Sequence, residues 1–205
     1  MIMIEKSISD FNNMLACAAP VPGGGGVSAL AGALGAGLGV MVGSLTVGKK
    51  KYAETEPEMI AITAKAKELQ EKLLKLVDGD AEAFEPLSKA YSMPKDAPGR
   101  DELMEKCLLQ AASAPLEVVR LSSEAISLMA RFAEIGSTLA VSDAGCGAAM
   151  CKAAMESAAL NVFINTKLMK NREAAGRINA EVIGLLNDFL PLADSVYCGV
   201  KEKLL

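Results

Sequence analysis

The sequence predicts an all-α protein: one domain over residues 1–205, built as a bundle of about six helices around a small-residue central helix. Three observations carry this expectation. Half of the chain is hydrophobic but only 4% is aromatic, and the apolar bulk is Ala, Leu, Val, Met and Ile, a mix that favours helix over strand. Apolar residues recur in steps of three and four through several long stretches. No segment shows the alternation of a half-buried strand, and no linker-like stretch divides the chain.

The elements follow in order. Ser7 or Ser9 caps a short first helix carrying Phe11, Met14 and Leu15, which Pro20 and Pro22 end. Gly23–Gly26 then reads as a loop before an uncharged run from Val27 to Val47, closed by Gly48 and the basic Lys49, Lys50 and Lys51. Thr55-Glu56-Pro57-Glu58 has the capping residue, early Pro and acids of a helix start. The seam of that long helix is Met59, Ile62, Ala66, Leu69, Leu73, Leu76, Asp80, Ala83 and Leu87, with Asp78 and Glu82 on the polar face. A loop at Met93–Gly99 precedes a second seam, Leu103, Cys107, Ala111, Ala114, Val118, Leu121, Ala125, Leu128 and Phe132, expected to kink or restart at Pro115. After the break at Gly136-Ser137, one helical face carries Asp143, Gly147, Met150, Ala154, Ser157, Asn161, Ile164 and Leu168, and is expected to point inward. Ile178, Val182, Leu185, Phe189 and Val196 mark the last helix.

Composition excludes several kinds of chemistry. There is no histidine, so no Ser-His-Asp triad, Cys-His dyad, histidine base or His-ligated metal is available. A net charge of −4 and a pI near 5.1 argue against general nucleic-acid affinity. Cys17, Cys107, Cys146, Cys151 and Cys198 are odd in number and lack CxxC spacing, which points to reduced thiols rather than a disulfide framework or zinc site. Glu5 stands where an export signal wants basic residues, so a cytoplasmic location is expected.

The run from Val27 to Val47 is long enough to span a membrane, and Gly35, Gly39 and Gly43 are spaced like a membrane packing motif. Five Gly, four Ala, two Ser and one Thr leave it only nine strongly apolar side chains. Such a helix also suits the centre of a soluble bundle, where small residues let neighbours approach closely, and that reading is preferred.

Four places could carry chemistry. Gly23–Gly26 is either a flexible connection or, with the free N–H groups of the following helix, a site for a carboxylate, phosphate or carbonyl oxygen. Lys49, Lys50 and Lys51 with Tyr52 form the dense positive cluster of an acidic chain, a solvated helix end or an anion site. Asp80 falls in an apolar seam, where a carboxylate is costly unless a cation pairs with it or function requires it. Asp143, Asn161 and Asn165 place polar groups on an otherwise apolar helix, for structural hydrogen bonds or for a ligand.

Taken together, several segments resemble one family. They are Pro20-Val21-Pro22-Gly23-Gly24-Gly25-Gly26-Val27-Ser28-Ala29-Leu30, Leu45-Thr46-Val47-Gly48-Lys49-Lys50-Lys51-Tyr52, Val77-Asp78-Gly79-Asp80-Ala81-Glu82-Ala83-Phe84 with Met93-Pro94-Lys95, Ser142-Asp143, and Asn161-Val162-Phe163-Ile164-Asn165. The family is that of formiminotetrahydrofolate cyclodeaminase and methenyltetrahydrofolate cyclohydrolase. The blocks run in the family's order across nearly the whole chain, departing in a fourth glycine at Gly26 and in Gly79 between the aspartates. The resemblance implies an all-helical homodimer acting on one-carbon tetrahydrofolates, with no metal or nucleotide cofactor. Cyclisation of 5-formimino-tetrahydrofolate to the 5,10-methenyl form with loss of ammonia is the first reading. Hydrolysis of the methenyl form to 10-formyl-tetrahydrofolate is the alternative.

Both reactions pass through a cationic, amidinium-like carbon and move protons between a nucleophile and nitrogen. Asp80 and Asp143 are the expected carboxylates for this work. Lys49 and Lys50 would face the folate's glutamate carboxylates, or Lys49 would act near the reacting carbon. Gly23, Gly24, Gly25, Gly26, Ser28 and Asn161 would hold polar groups of the substrate, and Tyr52 and Phe84 would stack on its flat rings. Two other classes of answer compete: a non-catalytic helical dimerisation module and a membrane-associated bundle. Convergence of Asp80, Asp143 and the glycines on one pocket is what separates the enzyme from the module.

Overall fold

A single helix rich in glycine and alanine organises the molecule. The computed structural model describes residues 2–205 and contains six α-helices. These are α1 (Ile8–Leu15), α2 (Gly24–Ser44), α3 (Glu56–Tyr91), α4 (Arg100–Ile135), α5 (Val141–Leu168) and α6 (Arg172–Leu204). Short 3₁₀ turns at Met3–Glu5, Lys50–Tyr52 and Thr138–Ala140 join them, and the described residues include no strand. Helix α2 packs on α3, α4 and α5, while α6 closes the far side against α4 and α5.

The close packing follows from the glycines of α2. A Cβ on Gly35 would lie 2.5 Å from Cys151 Sγ and 3.0 Å from the Gly147 carbonyl oxygen, so α5 crosses α2 almost backbone to backbone. Gly24 lies against Asn161 and Gly35 against Gly147, which makes α2 and α5 antiparallel. Gly25 lies against Asp80 and Gly43 against Thr63, so α3 is antiparallel to α2 as well. Helix α2 is the one element apolar and long enough to cross a membrane among the described residues, yet eleven of its residues are buried inside the bundle.

Three buried clusters run along the bundle. The central one joins Ala29, Ala33 and Ala36 of α2 to Leu69, Leu73, Val119, Ile126, Cys151 and Met155. A second gathers Val42, Met59, Met129, Phe132 and Ala148, and a third Leu87, Cys107, Leu108 and Met169.

The structure departs from the sequence pattern at four points. Gly24, Gly25 and Gly26 are the first turn of α2, not a loop, and Gly23 alone is the extended N-cap. Helix α4 is one element through Pro115, so the restart, one of the two expectations there, does not occur, and Pro115 is itself buried. In α3 it is Val77, 1% exposed, that reaches the core where the seam names Leu76. The face of α5 expected to point inward is turned out at Ser157, Ile164 and Leu168, and Ala144, Ala148, Cys151, Met155 and Val162 fill the core instead. Helix α5 is rich in Ala and Gly on every side, so its apolar period does not choose a face; contact with α2 and α4 does.

The backbone contact at Gly35 gives a direct test. Gly35→Ala should destabilise the fold by about 1–3 kcal/mol, because neither Gly147 nor Cys151 backbone can retreat. Gly184→Ala, in α6 with nothing within 4 Å of the added methyl, should instead gain about 0.5–1 kcal/mol from helix propensity. Urea midpoints at constant slope measure both.

Candidate active site

The N-terminal end of α2 is bare of side chains, and this lets a carboxylate approach its free amides. Gly23 offers no side-chain cap, and the first backbone bond of the helix runs from the Val27 N–H to the Gly23 carbonyl. The amides of the first turn therefore need an acceptor from elsewhere. Asp80 of α3 supplies it: a Cβ on Gly25 would sit 2.0 Å from Asp80 Oδ1, and the Gly26 N–H donates to the carboxylate. From α5, Asn161 comes to the same place, 3.0 Å from a Cβ position on Gly24. Its own amide donates to the Ser157 carbonyl at 2.8 Å, and Asn165 donates to the Asn161 carbonyl at 2.8 Å.

Asp80 is half-buried, and no Lys or Arg forms an ion pair with it among the described residues. The reading of a structural pair with a neighbouring cation is therefore set aside. Burial pushes its carboxyl above the usual 3.8, and the Gly26 amide opposes that only in part. Asp78, expected on a solvated face, accepts from the Met3 backbone N–H and ties down the N-terminal segment.

The other predicted residues lie elsewhere. Ser28 is buried and its hydroxyl donates to the Gly25 carbonyl at 2.7 Å, so it shapes the helix start from within. Phe84, one turn beyond Asp80, packs beside the third apolar cluster. Lys49, Lys50 and Tyr52 follow the C-terminal end of α2, about 30 Å from Gly24 at 1.5 Å per residue. Asp143 is at that same end, in the first turn of α5. Within one chain, then, Asp80, Gly23–Gly26 and Asn161 converge, while Lys49, Lys50, Tyr52 and Asp143 do not join them.

The second cluster is held firmly. Buried Thr46 accepts from the Ser137 N–H at 2.8 Å and donates to the Val42 carbonyl at 2.7 Å, tying the end of α2 to the α4–α5 connection. Lys49 Nζ donates to Ser137 Oγ at 3.3 Å, and the Thr138 N–H donates to the Tyr52 phenol oxygen at 3.0 Å. Hydrogen bonds from the Thr138 hydroxyl and amide lower the Tyr52 pKa from 10.0 to about 8. Ser137 and Thr138 had no signal in the sequence beyond the break that contains them.

Comparison with known proteins identifies the family. The family model described as Formiminotransferase-cyclodeaminase matches residues 7–183. The chain belongs to that family. The methenyltetrahydrofolate cyclohydrolase of Methylorubrum extorquens is 37% identical over 204 residues, covering 98% of both chains. The formimidoyltransferase-cyclodeaminase of Dictyostelium discoideum is 34% identical over 80% of this chain, which spans 30% of that longer protein. A crystal structure of formiminotetrahydrofolate cyclodeaminase from Thermotoga maritima superposes with a TM-score of 0.82 at 32% identity, covering 98% of this chain and 96% of that one.

For this member of the formiminotransferase-cyclodeaminase family, the state of Asp80 can be read from stability. Its folded-state pKa lies above 3.8, so the folded chain keeps a proton that the unfolded chain has released, and stability falls as pH rises through that window. Asp80→Asn removes the charge and keeps an acceptor for the Gly26 amide. The variant should match or exceed the parent's urea midpoint at neutral pH, with the gap closing as pH falls toward 3.8. A large loss of stability in Asp80→Asn would mean that the carboxylate has a cationic partner after all.

Proposed function

We propose that this protein is a one-carbon folate enzyme that hydrolyses 5,10-methenyl-tetrahydrofolate to 10-formyl-tetrahydrofolate, working as a soluble cytoplasmic homodimer. The observation that carries the chemistry is Asp80, a half-buried carboxylate without a counter-cation among the described residues, fixed at the bare start of α2. Similarity to a cyclohydrolase over 98% of both chains supports hydrolysis ahead of the cyclodeamination that the family resemblance puts first. The likeness in fold to a cyclodeaminase keeps cyclisation of the 5-formimino substrate as the second reading.

The substrate carbon between N5 and N10 is an amidinium cation. Ionised Asp80 stabilises it and removes a proton from the attacking water as the C–O bond forms, leaving a neutral hydroxyl adduct. Protonated Asp80 then returns that proton to N5 as the C–N5 bond breaks. The adduct's hydroxyl proton leaves to solvent and the formyl group remains on N10. A pKa raised by burial serves both halves of this exchange. The reaction balances with water and folate alone. In the second reading N10 takes the place of water, attacks the formimino carbon on N5, and ammonia departs. Asn161 and the first-turn amides of α2 orient the polar edge of the substrate.

Dimerisation is supported by α2. Val27, Ala31, Leu34, Leu38, Met41 and Leu45 follow one another in steps of four and three, the spacing of a coiled-coil seam. All six escape full burial in the single chain, and Leu34, Met41 and Leu45 are 54%, 48% and 41% exposed. An apolar stripe of that kind on the central helix calls for a second helix.

Purified protein should consume 5,10-methenyl-tetrahydrofolate, followed by its methenyl absorbance, without releasing ammonia. Ammonia release from the 5-formimino substrate with methenyl appearing would select the second reading, and inertness toward both would refute the assignment. Gly25→Ala should lower turnover about 10²-fold or more, since its methyl takes the space of the Asp80 carboxylate. Gly176→Ala, in α6 with nothing within 4 Å of the added methyl, should leave the rate near that of the parent.

A further inference from the structure

Asp78 and Asp80 stand two residues apart on α3, and at 3.6 residues per turn they leave the helix about 200° apart. Asp80 faces the first turn of α2, where Gly25 leaves space for its carboxylate and the Gly26 N–H donates to it. Asp78 faces away from that turn, and its carboxylate accepts from the Met3 N–H at 2.5 Å. Each carboxylate thus holds a backbone amide. The two amides so held, those of Met3 and Gly26, are the ends of one continuous stretch of chain.

That stretch leaves α3 and comes back to it. Met3 is 5% exposed and belongs to the central cluster, on which Phe11 and Met14 of α1 also pack. After α1 the chain returns at Val21, so that Met3, Met14, Val21 and Asp78 line one cavity of about 400 Å³ against α3. Buried Pro22 comes next, its Cβ 4.0 Å from where a Cβ on Gly26 would lie, with the Val77 carbonyl of α3 at 3.3 Å from the same point. Gly23 then enters α2 with no side-chain cap to fix it. Side chains do not fill the space between the N-terminal segment and α3, so the segment depends on its polar tie more than a close-packed one would.

We infer that Asp78 is a positioning residue for the reaction: by holding Met3 it closes the N-terminal segment on α3 and so keeps the glycine turn of α2 against the Asp80 carboxylate. Resting on the folate reading above, this gives the two aspartates of α3 separate duties, Asp80 at the reacting carbon and Asp78 behind it. Asp78 acts through the Gly26 amide and does not touch the substrate. Without the tie the glycine turn sits less firmly and its amide bonds Asp80 less well. That bond is what opposes burial at Asp80, so its weakening pushes the carboxyl further up. Ionised Asp80 is the form that takes the proton from water, so the acid limb of turnover then moves to higher pH.

Point variants of the full chain decide this, with turnover taken per folded protein and folding checked by circular dichroism. Asp78→Ala should lower kcat on 5,10-methenyl-tetrahydrofolate about 10-fold and move the acid limb of its pH profile upward. Asp78→Asn keeps an oxygen for the Met3 N–H and should restore most of the parent's kcat and its pH profile. Met3→Pro removes the donor instead. Ile2 before it is extended, at φ −83° and ψ 109°, so the backbone accepts proline there. Met3→Pro should turn over about 10-fold more slowly than Met3→Ala, which keeps the N–H, and adding Asp78→Ala to Met3→Pro should lower kcat no further. Asp78→Asn as slow as Asp78→Ala would make the charge itself essential and overturn the proposal. So would Asp78→Ala with the parent's kcat and pH profile, whatever its urea midpoint, since the tie would then be structural only. Inactivity of the parent on both folates refutes the reaction instead, and the tie is then read from Asp80 directly by carboxyl NMR titration. A higher Asp80 pKa in Asp78→Ala than in the parent supports the positioning role, and an equal one overturns it.

Discussion

The bundle depends on backbone-to-backbone contact along α2. At Gly35 there is no room for a methyl between the helix and the chain of Gly147 and Cys151, and at Gly25 the missing side chain is the space the Asp80 carboxylate occupies. One feature, the absence of Cβ atoms, thus sets both the interhelix distance and the site. It has a cost, since each glycine inside a helix is about 1 kcal/mol less favourable than alanine. Helix α2 is therefore helical because α3, α4 and α5 enclose it, and its start is rigid for the same reason.

Electrostatics follow from that enclosure. The ion pairs that link helices, such as Arg131 with Glu58, Arg120 with Glu181 and Lys152 with Asp194, lie toward the surface, where each contributes little. Asp80 lies in their opposite environment: partly desolvated, bonded to an amide and, among the described residues, without a cation in an ion pair. Burial acts in the same direction on Cys151, whose thiol is pushed up to about 12 and is thereby kept inert in the core. The carboxylate differs because the end of a helix and the mouth of the bundle leave it reachable.

That position matches the chemistry of a cationic carbon. A fully solvated carboxylate would be too weak a base and too well screened, and a salt-bridged one would be occupied. The arrangement at the start of α2 avoids both. In the proposed mechanism it also meets the shared demand of hydrolysis and cyclodeamination, which differ in the nucleophile and the leaving group but pass through the same charged carbon.

Helix content, the presence of the four long helices and the place of Asp80 in an apolar seam could all be read from the sequence, because the 3.6-residue period is written locally. So could the family, through resemblance of ordered motifs. The inward face of α5 could not, because Ala and Gly on all sides of that helix leave no period to read, and its contacts with α2 and α4 choose the face. Nor could the partner of Asp80 be named: a carboxylate in a seam reads the same whether a lysine or a helix amide faces it. The separation of Lys49 and Asp143 from Asp80 was likewise invisible, since motif order along a chain carries no distance across a bundle. Local pattern determined which segments are helices and which residues are chemically unusual; the antiparallel packing of α2, α3 and α5 decided which of those residues meet.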